Sequence, residues 1–244
     1  MSTKRGGTIG DRQPDAVAAT AGTVAALFDV DNTLLPGTTS ERLFVRALIR
    51  GGHYGARAAL ATATTVLHHA RLGPFAALRL HRPYLRGRTV AEVAVLAEQV
   101  FAREILPRLA PHGAARVRWH LGCGHRVALL SGAPHFLAEL LAAYLGVGTI
   151  LATPLALEAG RYTGELADLH PYGARKAILA RRFATAHGVG LADSYAYADH
   201  HSDAPLLALF GHPVCVNPTA RLRRIAAREE WPTERWGAAK VTTS

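Results

Sequence analysis

The stretch Thr23-Val24-Ala25-Ala26-Leu27-Phe28-Asp29 is apolar almost up to its last residue, and a second aspartate, Asp31, follows just beyond Val30. A short run that is apolar at successive positions is the pattern of a strand covered on both faces in a parallel sheet. Carboxylates at the end of such a strand are costly unless a cation, a proton or hydrogen-bond donors offset them. The arrangement recurs near the other end of the chain, where Tyr195-Ala196-Tyr197-Ala198 leads into Asp199, with Asp203 shortly after. Four of the eight aspartates thus fall into two tight groups at predicted strand ends. Open α/β sheets place their ligands at such ends.

The rest of the chain fits an α/β reading. Residues 1–15 are polar, with Gly6, Gly7, Gly10 and Pro14, and read as a flexible tail. Helical patterns fill 36–120. One covers 40–49 and stops at Gly51-Gly52, a second covers 54–72, and a third starts at Thr89-Val90-Ala91-Glu92, the signature of a capping box. Strand and helix then alternate: a strand over 126–130, Ser131-Gly132 and a helix ended by Gly146, a strand over 149–152, and a hairpin over 155–166 turning at Ala159-Gly160. A helix over 173–187, a strand over 195–198, a helix over 202–210 and a strand over 213–216 complete the order. The expected architecture is a three-layer, Rossmann-like α/β core with a parallel sheet, built from 16–35 and 121–244. Residues 36–120 form an inserted helical cap.

Composition narrows the function classes. The net charge is +10, but only Lys4, Lys176 and Lys240 among the 28 basic residues are lysines, and the arginines are dispersed through helical segments. That is not the clustered, aromatic-interleaved pattern of a nucleic-acid surface, so no nucleic acid is expected, although the charge suits anionic substrates. Cys123 and Cys215 lie far apart and suggest neither a disulfide framework nor a cysteine metal site, which fits a reducing cytoplasm. The apolar stretch 16–28 runs directly into Asp29 and reads as a buried strand rather than a signal peptide. No run reaches the roughly eighteen apolar residues of a membrane span.

The carboxylate groups, Ser131 after a third strand and Lys176 in a later helix supply a nucleophile, a second carboxyl, a site for a hard cation and groups to hold phosphoryl oxygens. Phe28-Asp29-Val30-Asp31-Asn32-Thr33 resembles the first motif of the haloacid dehalogenase superfamily, an apolar strand leading into Asp-x-Asp-x-Thr. Leu129-Leu130-Ser131-Gly132 is similar to its second motif, Lys176 to its third, and Ala198-Asp199-His200-His201-Ser202-Asp203 to its fourth. The resemblance runs from about residue 23 to Trp231. Arg161-Tyr162-Thr163-Gly164, the segment around Pro213 and Asn217, and Glu230-Trp231-Pro232 bring it nearest to the phosphoserine-phosphatase-like branch.

That resemblance implies a magnesium-dependent phosphomonoesterase working through an aspartyl phosphate. It implies Asp29 as nucleophile and Asp31 as acid and base. Asp29, the Asp31 backbone carbonyl and Asp199 become metal ligands with Asp203 assisting, and Ser131, Gly132 and Lys176 become the phosphate-binding groups. His200 and His201 stand where a small residue is expected; they read as loop histidines, with His200 near the substrate. Glu41 and Arg46, early in the cap, are further candidates for substrate contact. A phosphorylated amino acid or amino alcohol is the favoured substrate, with histidinol phosphate, a sugar phosphate, or a catalytically weak phosphate-binding regulator as alternatives.

Overall fold

The computed structural model describes residues 23–68, 81–168 and 170–238. The tail expected over 1–15 and the end of the second helix expected beyond residue 68 lie outside them. The elements in order are β1 (Ala25–Asp29), α1 (Ser40–Arg50), α2 (Ala56–His68), a 3₁₀ turn (Pro83–Leu85), α3 (Val90–Val100), α4 (Pro111–Gly122), β2 (Arg126–Pro134), α5 (His135–Leu145), β3 (Thr149–Thr153), β4 (Leu155–Glu158), β5 (Arg161–Leu166), α6 (Ala174–His187), β6 (Tyr195–Ala198), α7 (Ala204–Leu207), β7 (His212–Val216), α8 (Ala220–Arg228) and β8 (Thr233–Glu234). Between α3 and α4 the chain runs through a π turn (Phe101–Ile105) and a 3₁₀ turn (Leu106–Arg108).

Six strands form one parallel sheet in the order β3-β2-β1-β6-β7-β8. β1 sits centrally and reverses its faces residue by residue. Ala26, Phe28 and Val30 enter a core shared with Val117 of α4 and Leu137 and Leu141 of α5. Ala25 and Leu27 enter a second core with Phe183 of α6, Leu206 and Leu207 of α7 and Leu222 of α8. Burial on both faces is why the strand is apolar throughout. Each leucine taken wholly out of water contributes about 1.5–3 kcal/mol before the cost of ordering the chain. The three-layer α/β expectation is met. Among the described residues no helix is long and apolar enough to cross a membrane.

Two details differ from the sequence expectation. β2 continues past Leu130 to Pro134, shifting register against β3 between those residues, so Ser131-Gly132 belongs to an irregular strand end rather than to a helix start. Pro134 explains the delay, because its ring keeps the residue before it extended and it then leads α5 as N-cap. After Val216, α8 packs on the second core and the short β8 adds an edge strand, over a segment whose regular structure the sequence did not reveal.

Residues between β1 and β2 pack onto this core. Leu43, Phe44 and Leu48 of α1 and Val93 and Ala97 of α3 join the first core, with Phe44 packing edge-on against Phe136 of α5 at 5.3 Å. α4 packs on a face of the sheet, where His120 meets Phe28. The β4–β5 hairpin turns at Ala159 and Gly160, both at positive φ as a tight hairpin turn requires. It bridges to the segment between β1 and β2 at His81–Glu165 and Thr89–Arg161.

Candidate active site

A cavity of about 780 Å³ opens at the C-terminal ends of β1, β2 and β6. Asp29 ends β1. The chain then turns sharply: Leu34 and Leu35 both donate to the Val30 carbonyl, and Asn32 takes a positive φ of 61°. This turn carries Asp31 off the strand axis to the cavity wall. Its Oδ1 accepts from both the backbone N–H and the hydroxyl of Ser40, at 2.8 and 2.9 Å. Ser40 is the first residue of α1, so the helix that follows β1 also fixes the second aspartate. Burial, reinforced by the nearby charge of Asp29 and opposed by the Ser40 bonds, pushes the Asp31 carboxyl up to about 7.

Lys176 reaches the same point from α6. Its side chain is buried, and Nζ donates to Asp29 Oδ1 at 2.7 Å and to Asp203 Oδ2 at 2.8 Å. Burial alone would lower the lysine's proton affinity, but the two carboxylates outweigh it and hold it above its ordinary value. Thr33, the threonine two residues after Asp31, sits between the two strand ends: its Oγ1 is 3.2 Å from Asp29 Oδ2 and 3.4 Å from Asp199 Oδ1. Burial beside Asp29 raises the Asp199 carboxyl, and burial raises Asp203 despite Lys176. Four aspartates therefore share one largely buried site with one lysine, an excess of negative charge that favours bound protons or a bound cation.

Most of the expected residues meet here. Asp29, Asp31, Gly132, Lys176, Asp199 and Asp203 line the cavity, and so do Glu41, Arg46 and His200. Ser131 does not reach the wall; it is fully buried behind Gly132, where its Oγ accepts from the Ala133 N–H at 3.1 Å. His200 accepts from the Ser202 N–H through Nδ1 and so caps the turn that carries Asp203. Across the cavity Glu41 Oε1 lies 2.5 Å from Arg82 Nε and accepts from Tyr84 Oη at 2.7 Å. Burial raises the Glu41 carboxyl, opposed by Arg82.

Ser40, Thr33, Tyr84, Thr153 and His170 are site residues to which the sequence reading assigned no individual role. Thr33 lay within the quoted first motif. The others carry no local sequence signal, because their partners lie on other elements of the chain.

The haloacid dehalogenase-like hydrolase family matches residues 26–208. Phosphoserine phosphatase SerB1 of Mycobacterium tuberculosis is 32% identical over 227 residues, covering 91% of this chain and 72% of that protein. A histidinol-phosphatase of Neisseria meningitidis serogroup C is 29% identical over 216 residues, covering 85% of this chain and 96% of that protein. Among solved structures, a Bordetella pertussis protein of unknown function superposes with a TM-score of 0.74 at 28% identity, covering 87% of this chain and 98% of that one. A substrate-bound phosphoserine phosphatase shares the fold, with a TM-score of 0.59 at 17% identity over 83% of this chain and 90% of that one. With its strand-end aspartates and Lys176 in one cavity, this chain belongs to the haloacid dehalogenase-like hydrolases, as a phosphatase of their phosphoserine-phosphatase-like branch.

Proposed function

We propose that this phosphatase hydrolyses a small phosphorylated metabolite through a phosphoryl group carried on Asp29, with magnesium as cofactor. The observation that carries the reading is Lys176 Nζ, buried and shared between Asp29 Oδ1 and Asp203 Oδ2. A carboxylate that must approach a phosphate dianion needs such a cation beside it. The residues fit a hard cation as well. Asp29 and Asp199 offer carboxylate oxygens on adjacent strand ends, and their mutual repulsion in a buried site is what a divalent ion relieves. Magnesium needs few protein oxygens, because it keeps several of its waters. Asp29, the Asp31 carbonyl and Asp199 would hold the ion, and when bound it would supply charge neutralisation to the reacting phosphoryl group.

The remaining steps fall to the chain's own groups. Asp29 attacks phosphorus. Asp31, whose carboxyl is raised to about 7, holds a proton near neutrality for the departing oxygen and then draws one from the attacking water. Lys176 stays paired with Asp29 and faces the phosphoryl oxygens. The strand end at Gly132 lies on the cavity wall beside them.

The insertion expected over 36–120 acts as cap, except for α4, which packs on the sheet rather than serving the cover. Glu41 on the cavity wall supports a leaving group that bears an amine, hence a phosphorylated amino acid or amino alcohol. A second reading, histidinol phosphate, is supported by the cavity's volume, by the tyrosines Tyr54 and Tyr172 on its walls, and by the Neisseria relative. Release of inorganic phosphate across a panel of phosphorylated metabolites, with magnesium and with chelator, tests the reaction and ranks the substrates. No release from any ester would overturn the reading.

A further inference from the structure

Gly132 lies where β2 loses register with β3, and its carbonyl is held by side chains. Thr153 Oγ1 donates to Gly132 O at 2.7 Å. A threonine hydroxyl has one proton, and the carbonyl can only accept it. The 2.8 Å contact between Thr153 Oγ1 and His170 Nδ1 therefore requires the imidazole to donate. The chain runs from His170 Nδ1–H to Thr153 Oγ1–H to the Gly132 carbonyl, with Thr153 fully buried and His170 7% exposed. The imidazole also lies against the glycine itself, because a Cβ at position 132 would meet His170 Cε1 at 3.0 Å. From the cap side, Arg82 Nη2 lies 3.3 Å from the same carbonyl.

The peptide between Gly132 and Ala133 is thus fixed at both ends, since its N–H donates to Ser131 Oγ. Glycine turns its peptide more readily than any other residue. A flip here would aim the carbonyl oxygen at the phosphoryl dianion and remove the N–H that orients the Ser131 hydroxyl. With Ser131 Oγ accepting from Ala133, its own proton stays free to donate.

We propose that Thr153 and His170 are positioning residues of the phosphatase. They clamp the Gly132 carbonyl away from the phosphoryl group, and Arg82 adds a second donor at the same oxygen, tying the Glu41 side of the cavity to the phosphate-binding strand end. The proposal rests on the phosphatase reading of the site.

The test compares Thr153→Val, Thr153→Ser, His170→Asn and His170→Gln in the full chain. An aryl phosphate with magnesium gives kcat and KM, calorimetry gives the affinity for inorganic phosphate, and thermal melts give stability. Thr153→Val should lower kcat at least about 10-fold with a smaller change in KM and weaken phosphate binding, while Thr153→Ser restores both. An asparagine amide reaches the place of Nδ1 and a glutamine amide that of Nε2, so His170→Asn should keep most of the rate and His170→Gln should lose it. Wild-type kcat and phosphate affinity in Thr153→Val, with only a lower melting temperature, would overturn the clamp. So would an active His170→Gln beside an inactive His170→Asn, which would mean that the ring meets the ligand directly. Should Thr153→Val fail to fold, the His170 pair decides. If the wild-type protein released no phosphate, the site reading would fall, and phosphate affinity across the variants would still judge the clamp.

Discussion

Lys176 Nζ lies 2.7 Å from Asp29 Oδ1, although 147 positions separate the two residues in the chain. The contact exists because β1 and the start of α6 open on the same edge of the sheet, and both side chains are buried, where a charge without a partner is expensive. Lysine is rare in this protein, and arginine would bring a wider, flat guanidinium into a space that holds a single nitrogen between two carboxylates.

Replacing Lys176 with methionine keeps much of the side-chain length but leaves Asp29 and Asp203 facing each other without a cation. Turnover should fall at least about 100-fold. Steady-state rates on an aryl phosphate check this, and an unchanged rate would mean that another cation serves the phosphoryl group.

Magnesium removal should abolish turnover, and re-addition should restore it. Burial beside Asp29 raises the proton affinity of Asp199, so protons compete with the metal at that carboxylate. The magnesium concentration for half-maximal rate should therefore rise as pH falls, and rise less in Asp203→Asn, where one source of repulsion is gone. Full turnover by metal-free protein in chelator would sink the magnesium assignment.

The sheet and the polar ends of its strands were legible because both rest on local patterns. β1 and β6 are apolar on both faces, and an aspartate at the end of each is hard to accommodate without a purpose. The hairpin turn at Ala159-Gly160 and the capping box at Thr89 and Glu92 were legible for the same reason: each needs only residues within a few positions. What the sequence concealed depends on tertiary closure. Ser40 looks like any helix-start serine until the loop after β1 brings Asp31 to it. The Thr153 and His170 pair is invisible because its meaning depends on a carbonyl more than twenty residues away. The extension of β2 through Gly132 was missed because Ser-Gly after a strand also reads as a helix start.

His120 gives a prediction about stability rather than activity. It is fully buried under the sheet, between Tyr197 Oη at Nε2 and His125 at Nδ1. Burial, with His125 and Arg116 adding to it, pushes its pKa down to about 4 from the ordinary 6.5. The unfolded chain therefore binds a proton before the folded one does, and the stability contributed by neutral His120 is complete above about pH 6.5 and lost as pH falls toward 4. Urea unfolding of the wild type and His120→Phe at pH 7.5 and 4.5 isolates this group, and the wild type's advantage should narrow at the lower pH. An advantage that stays constant would mean that His120 does not titrate between the two states.

The two aspartates of the first motif should separate by the step each one serves. Asp29→Asn removes the attacking anion and the partner of Lys176, so it should lose both turnover and any phosphorylated protein. Asp31→Asn leaves Asp29 and Lys176 in place, and an amide can still accept from Ser40, so the loop should hold its shape. What disappears is a carboxyl raised to about 7, and with it the proton for the leaving oxygen and the base for the second step. An alkyl phosphate, whose alkoxide leaves poorly, should therefore be turned over at least about 100-fold more slowly. An aryl phosphate leaves without much help, so it should still phosphorylate Asp29, and the phosphoprotein should accumulate because water is no longer activated. Rapid quenching followed by peptide mapping measures this directly. Label on Ser131 or His200, or a trapped phosphoprotein in Asp29→Asn, would overturn the assignment of the nucleophile even in an active phosphatase.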